Sequence, residues 1–143
     1  LDAVQAPGNV GTMLRTALGL GAAAVVALKG TADLANPKVL RGSMGAYFRL
    51  PCIMTDTDVF LGWAAERRVG IWVAAADGAP LGHGGPGRSE PVAIVVGNEG
   101  AGVGAGLAAA AVRRVSIPLR DGAESLNVAI AAGILLYEVL RDE

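Results

Sequence analysis

The sequence of 143 residues has few aromatic and charged residues, one cysteine and one histidine. Aromatic residues make up 4% and charged residues 17%, whereas hydrophobic residues reach 52%. A chain this apolar can bury a core, so global disorder is excluded. Because aromatic side chains are scarce, the core has to be built from Ala, Val, Leu and Ile, packed closely at many of the 21 glycines.

The shortage of cysteine and of net charge excludes further classes. Cys52 is the lone cysteine, so no disulfide can form within the chain, and a reducing compartment fits. The formal net charge of −1 gives no basic field that would by itself predict a nucleic-acid partner. The longest unbroken apolar segment of the final helix, 128–137, is shorter than the roughly 20 residues of a membrane span. We expect a cytoplasmic protein with neither a membrane partner nor a bound metal.

Short apolar runs alternate with helical patterns along the whole chain. Most of the runs are continuous, which is typical of a parallel sheet covered by helices on both faces. The sequence therefore predicts an α/β domain with a mostly parallel sheet. Strands are expected at 1–7, 23–28, 50–54, 69–75, 92–96 and 115–118, and the last helix is expected to begin near Ser125. A Gly- and Pro-rich loop at 76–91 holds His83, which is most simply solvated.

The most informative stretch runs from Val92 to Glu138. A buried strand there ends at a glycine-rich turn, 97–102, and a second strand ends at a polar loop before the last helix. Glycines allow a backbone to approach a ligand closely, and a helix start offers unpaired N–H groups. The pattern predicts a small-molecule site.

The turn also contains a possible dinucleotide-binding motif. Residues 100–105 read GAGVGA, which matches G-x-G-x-x-A, and Asp121 follows about 20 residues on. That fingerprint normally opens a domain with several strands still to come, whereas only one strand and one helix remain here. A dehydrogenase-like domain is therefore kept as an alternative.

Five polar residues stand at or near strand ends and helix starts: Asn9, Arg15, Glu99, Ser125 and Asn127. Helix N-capping would explain Asn9 and Ser125 without any further function. Capping does not explain Arg15 within an apolar helix, or Glu99 between glycines. A partly buried Arg and a partly buried Glu are expected to pair or to meet a ligand.

Three blocks resemble the motifs of the SpoU/TrmH family of RNA ribose 2′-O-methyltransferases, in the SPOUT superfamily. They are NVGTMLRTALGLG at 9–21, IVVGNEGAG at 94–102 and VSIPLRDGAESLNVAIAAGILLYE at 115–138. The segment NPKVLRGSMGAYFRL at 36–50 is also similar to a family segment. The match covers essentially the whole chain, in the order and spacing of the family.

The resemblance implies an α/β domain with a deep C-terminal trefoil knot that holds S-adenosyl-L-methionine, and it implies a homodimer. The implied substrate is RNA, ribosomal RNA before transfer RNA. Residues 1–143 would form the catalytic domain. Family members usually carry an N-terminal substrate-recognition domain, which is absent from this chain: it is either lost or outside the sequence. A non-catalytic RNA-binding paralogue is a further alternative, against which the intact Asn9, Arg15, Glu99 and Asn127 argue.

The resemblance also assigns residues by position. Cofactor contacts, largely through backbone groups, are implied for Gly97, Ile117 and Leu126, and for their neighbours Asn98, Gly102, Pro118 and Ser125. The implied catalytic set is Arg15, Asn9, Glu99, Ser125 and Asn127. The family places Arg15 where the 2′-hydroxyl loses its proton.

The chemistry of arginine limits that role. A guanidinium group with a pKa above about 12 is a poor proton acceptor. We therefore expect Arg15 to hold a phosphate or to stabilise the developing alkoxide, with Glu99 holding Arg15 or the ribose. Arg41 is a candidate phosphate contact, and a solvated helix face is an equal alternative for it.

Overall fold

The computed structural model describes residues 1–81, 91–120, 123 and 125–140. His83 and Asp121 lie outside the described residues. In chain order the elements are α1 (Pro7–Leu20), β1 (Val25–Leu28), α2 (Pro37–Ser43), a 3₁₀ turn (Ala46–Phe48), β2 (Cys52–Thr55), α3 (Thr57–Glu66), β3 (Gly70–Pro80), β4 (Val92–Val95), α4 (Ala105–Ala110), β5 (Arg113–Ser116) and α5 (Val128–Leu140). Strands and helices alternate as predicted, except that among the described residues no helix lies between β3 and β4.

The strands pair in parallel, which confirms the predicted sheet type. β1 pairs with β2, and β3 lies between β4 and β5. The segment before α1 connects the two groups: the Leu28 N–H donates to the Leu1 carbonyl (2.8 Å), and the Asp2 N–H donates to the Val96 carbonyl (2.9 Å). The prediction of a strand at 1–7 is wrong, because Ala3 has a φ of 53° and leaves the extended conformation.

Helices cover both faces of the sheet, as predicted, and successive strand residues alternate between two cores. On one face α1, α2 and α5 pack on residues such as Ala27, Trp72 and Val115. On the other face α3 and α4 pack on residues such as Leu28 and Val73. Side chains of a strand point alternately to its two faces, so continuous apolar runs supply both cores at once.

β3 is longer than the sequence predicted, and the residues after Ala75 are not all loop. Ala74 and Ala79 both pair with Val115, so the residues between them form a bulge in the strand. The Ser116 hydroxyl donates to the Gly78 carbonyl at 2.8 Å and stabilises this bulge. Ala75 and Ala76, the first residues of the bulge, form part of the wall of a cavity near the end of β5.

α1 and α2 touch through their backbones. Gly11 of α1 is buried, and a Cβ atom built on it would lie 2.7 Å from the Val39 carbonyl oxygen and 2.9 Å from the Gly42 Cα. Only glycine fits at such a contact. This approach positions the N-terminal half of α1, which carries Asn9.

Replacing Gly11 by alanine is expected to lower the free energy of unfolding by about 1–3 kcal/mol, because the added methyl group pushes two helices apart. Gly19→Ala is the matched control in the same helix, since nothing lies within 4 Å of its Cβ position. The control should be neutral or stabilising by up to about 1 kcal/mol, through helix propensity alone. Urea unfolding of both variants measures the difference, and equal midpoints would refute the close contact.

Candidate functional site

A cavity of about 200 Å³ lies where the parallel strands end. Ligands of open α/β sheets bind at this edge of the sheet. The walls come from the end regions of three strands, the glycine turn, and the chain at the start of α5: Ala74, Ala75, Ala76, Val96, Gly97, Asn98, Glu99, Gly102, Val115, Ser116, Ile117, Leu119, Ser125, Leu126, Val128, Ala131 and Leu135.

The glycine turn forms one wall and is closed by its own hydrogen bonds. Asn98 and Gly102 exchange backbone bonds of 3.1 and 2.8 Å, and the Asn98 Oδ1 accepts the N–H groups of Gly100 (2.8 Å) and Ala101 (3.0 Å). A Cβ atom on Gly97 would overlap the backbone of Gly102. The turn therefore needs glycine at position 97 to close.

Three polar side chains meet beside this cavity. The Asn9 Nδ2 donates to Glu99 Oε1 at 2.6 Å, and the Asn127 Nδ2 donates to Asn9 Oδ1 at 3.1 Å. The Asn127 Oδ1 also accepts the N–H of Ala129 at 2.9 Å, at the start of α5. This Glu99–Asn9–Asn127 chain joins the turn after β4, the first turn of α1 and the start of α5.

Both capping assignments made from the sequence are wrong. α1 begins at Pro7, so Asn9 lies inside its first turn, and its side chain is free to bond Glu99. α5 begins at Val128, and its cap is Asn127 rather than Ser125. Ser125 instead lines the cavity. Proline is favoured at the first helical position, so Pro7 was the available signal for the start of α1.

The expectation that Arg15 and Glu99 are partly buried is wrong, and of its two alternatives the pairing is not observed, whereas the contact with a ligand stays a prediction. Both residues are exposed, and in the described part of the chain the Glu99 carboxylate bonds Asn9 rather than Arg15. Six positions along an α-helix amount to a rotation of about 240° from Asn9, so Arg15 points to another side of α1. Arg15 does not line the cavity, and neither does the exposed Arg41.

Most of the predicted cofactor positions surround the cavity. Gly97, Ile117, Leu126, Asn98, Gly102 and Ser125 line it, whereas Pro118 does not, although both of its neighbours do. The sequence did not predict the wall formed by Ala74, Ala75 and Ala76, because the predicted strand ended at residue 75. Small residues followed by Asp77-Gly78 were the available signal for a backbone that bends beside a ligand.

A larger cavity of about 440 Å³ lies elsewhere, between α1, α3, α5 and strands β1 and β4. Its lining side chains are apolar apart from the indole N–H of Trp63, so it offers little to a charged or polar ligand. Within the described ranges, no three His, Cys, Asp or Glu side chains are grouped to hold a metal ion. No helix among those residues has the length and hydropathy to span a bilayer.

Removing the α5 cap tests this part of the site. Asn127→Ala is expected to lower the free energy of unfolding by about 1 kcal/mol, because it leaves N–H groups of the first helical turn without an acceptor. Ser125→Ala is the control two residues away and should change stability by less than about 0.5 kcal/mol. Chemical denaturation compares the two, and a larger loss in the serine variant would contradict the cap assignment.

A family model and individual known proteins both match this chain over nearly its whole length. The model of the SpoU rRNA Methylase family matches residues 1–137. A 23S rRNA (guanosine(2553)-2′-O)-methyltransferase from Bacillus subtilis is 43% identical over 140 residues, which are 97% of this chain and 56% of that protein.

Solved structures agree with the sequence match. An AdoMet-bound rRNA methyltransferase from Sinorhizobium meliloti superposes with a TM-score of 0.91 at 35% identity, over 97% of this chain and 53% of that one. The SpoU methyltransferase AviRb from Streptomyces viridochromogenes, in complex with AdoMet, gives 0.85 at 30% identity, over 95% and 56%. The chain thus spans about half the length of the relatives it matches.

These matches decide against the dinucleotide-binding alternative, and the geometry gives the reason. In that motif the glycine turn leads directly into a helix whose N-terminus meets the pyrophosphate. Here the turn closes on itself between Asn98 and Gly102, and the helix after it, α4, has only 6 residues. The chain belongs to the SpoU rRNA Methylase family.

Proposed function

We propose that the protein to which this chain belongs transfers a methyl group from S-adenosyl-L-methionine to a ribose 2′-hydroxyl of RNA. Ribosomal RNA is the first candidate substrate, because the relative from Bacillus subtilis is named for 23S rRNA, and transfer RNA is the second. One observation carries the proposal. The cavity at the strand ends adjoins the Glu99–Asn9–Asn127 chain, so a binding slot and a cluster of polar groups lie side by side.

The residues of the cavity fit S-adenosyl-L-methionine. Val96, Ile117 and Leu126 form an apolar slot of the kind that an adenine ring requires. The absence of a side chain at Gly97 and Gly102 lets the backbone approach a ligand closely. Asn98, Glu99 and Ser125 supply polar groups at the rim. When bound, the cofactor supplies a methyl group activated by its sulfonium charge.

We propose that the hydrogen-bonded Glu99–Asn9–Asn127 chain orients the ribose. The Glu99 carboxylate has a second oxygen besides the one that bonds Asn9, and this oxygen can accept a hydrogen bond from a ribose hydroxyl. Asn127 fixes Asn9 from the other side, so the carboxylate has a defined direction. Orientation of this kind, with donor and acceptor in line, is a large part of methyl-transfer catalysis.

Arg15 suits a phosphate contact better than a proton transfer. It is exposed and outside the cavity, where the backbone of an RNA strand can reach it. Arginine binds phosphate through two parallel hydrogen bonds, which would fix the strand relative to the cofactor slot. Ser125, at the rim of the cavity, is the remaining member of the proposed catalytic set.

The proposal extends to a homodimer and to a C-terminal trefoil knot, as the family resemblance implies. α5 exposes an apolar stripe at helical spacing, with Ile130 57%, Ile134 37% and Tyr137 53% accessible. A second copy of the chain is the partner that we propose for this stripe. Comparing the sedimentation of the Ile134→Asp variant with that of wild type tests this homodimer. A wild-type protein that sediments as a monomer at micromolar concentration would refute it. We place further RNA recognition outside this chain, whose net charge is only −1.

The full-length protein, incubated with labelled S-adenosyl-L-methionine and total RNA, tests the function. We expect label in one nucleotide, resistant to alkaline cleavage at that position because its 2′-oxygen is methylated. Titration calorimetry with S-adenosylhomocysteine and with NAD should show binding of the first alone. Binding of NAD would revive the dehydrogenase-like alternative. Cofactor and RNA binding without transfer of label would identify a non-catalytic paralogue.

Arg15→Ala is expected to lower kcat by about 100-fold, because an RNA strand whose phosphate is no longer held is misaligned with the methyl donor. The dissociation constant of S-adenosylhomocysteine should change by less than about twofold, because binding energy at a separate cavity is unaffected. Arg15→Lys should recover little, since an ammonium group cannot bind a phosphate through two parallel bonds. Arg67→Ala, after α3, is the control. Unchanged turnover in Arg15→Lys would refute the assigned role.

A further inference from the structure

Asp2 is a buried acidic residue at the base of the glycine turn. It is 8% exposed, and the motifs of the sequence do not include it. Its backbone N–H donates to the Val96 carbonyl at 2.9 Å, directly before the turn. Its side-chain Oδ2 accepts the N–H of Gly104 at 2.7 Å, two residues after the turn. One residue therefore bonds the chain on both sides of the turn.

The next residue holds the middle of the turn. The Ala3 carbonyl accepts a hydrogen bond from Asn98 Nδ2 at 3.1 Å. The other end of that amide, Oδ1, holds the tip of the turn at Gly100 and Ala101. The segment Asp2–Ala3 thus contacts residues before, within and after the turn, although almost a hundred residues separate the two segments in sequence.

Such anchors matter because the internal hydrogen bonds of the turn, between Asn98 and residues 100–102, close it without holding it against the rest of the domain. Four of the residues at 97–104 are glycines, which lose more conformational entropy on ordering than any other residue. The exposed Glu99 sits at the centre of this turn. A turn that moved would carry Glu99 away from Asn9 and would also move one wall of the cavity.

We propose that Asp2 is the positioning residue of this turn: by holding Gly104 it fixes the cofactor-facing wall and the direction of Glu99. Asp2 does not itself line the cavity, so it acts through the turn and touches neither cofactor nor RNA. A carboxylate is suited to this task because its hydrogen bond from a backbone N–H is charge-assisted. The inference rests on the proposed function only for the identity of the ligand.

Asp2→Ala in the full-length protein is expected to raise the dissociation constant of S-adenosylhomocysteine about tenfold, equivalent to about 1.4 kcal/mol. The affinity for RNA without cofactor should fall less than the cofactor affinity, since Asp2 affects the proposed RNA contacts only through Glu99 of the turn, whereas Arg15 lies on α1. Asp2→Asn keeps the shape and one acceptor oxygen but loses the charge, so its effect should be intermediate. Asp58→Asn, an exposed aspartate of α3, is the control and should bind as wild type.

Amide hydrogen exchange separates positioning from a general loss of stability. In Asp2→Ala the amides of Gly102 and Gly104 should exchange faster, while those of Val10 to Leu14 in α1 keep their wild-type protection. Unchanged exchange at Gly104 together with unchanged cofactor affinity would overturn the proposal. Exchange that accelerates by the same factor in the turn and in α1 would also overturn the proposal, because Asp2 would then stabilise the fold as a whole.

Failure of Asp2→Ala to fold and failure of the wild-type protein to bind cofactor have different consequences. If Asp2→Ala does not fold, Asp2→Asn carries the same test, since it preserves the volume of the side chain. If the wild-type protein fails to bind S-adenosylhomocysteine, the proposed function fails. The exchange of the Gly104 amide still decides whether Asp2 fixes the turn.

Discussion

The hydrogen bond between Asn9 and Glu99 is the contact on which the site depends. It joins positions 90 residues apart and exists only when α1 and the turn after β4 are both in place. Asn127, 118 residues from Asn9, adds the start of α5 to the same chain of bonds. An exposed hydrogen bond contributes only about 1 kcal/mol to stability, so its importance lies in geometry. It fixes the direction of a carboxylate beside a cavity.

The high glycine content and the low aromatic content of the chain match the close approach of backbone segments to each other in the fold. Gly11 lets α1 rest on α2, and Gly97 lets the turn fold onto itself. A core with few aromatic side chains has to fill space with small residues and short distances between elements. The same small residues, at Ala74 to Ala76, leave room for a cavity at the strand ends.

Charge is distributed in a way that separates two tasks. The cavity and the Glu99–Asn9–Asn127 chain contain amide, hydroxyl and carboxylate groups, which are able to orient a ligand by hydrogen bonds. The guanidinium of Arg15 lies outside the cavity and is exposed. We interpret the first set as groups that orient the ribose and cofactor, and Arg15 as a group that meets the phosphate backbone. The near-neutral net charge agrees with our proposal that further RNA recognition lies outside this chain.

The sequence by itself determined the α/β fold class and predicted the region in which the structure has a cavity. Continuous apolar runs predicted a parallel sheet with two covered faces, and glycines after one run predicted the turn at the cavity. The tertiary structure decided which polar groups meet. A helix start only three residues earlier than expected changed Asn9 from a cap into the partner of Glu99. A bulge carried β3 past its predicted end, and the rotation of α1 turned Arg15 to solvent. Local periodicity reports which face of an element is buried, but a side chain's partner across 90 residues depends on the packing of whole elements.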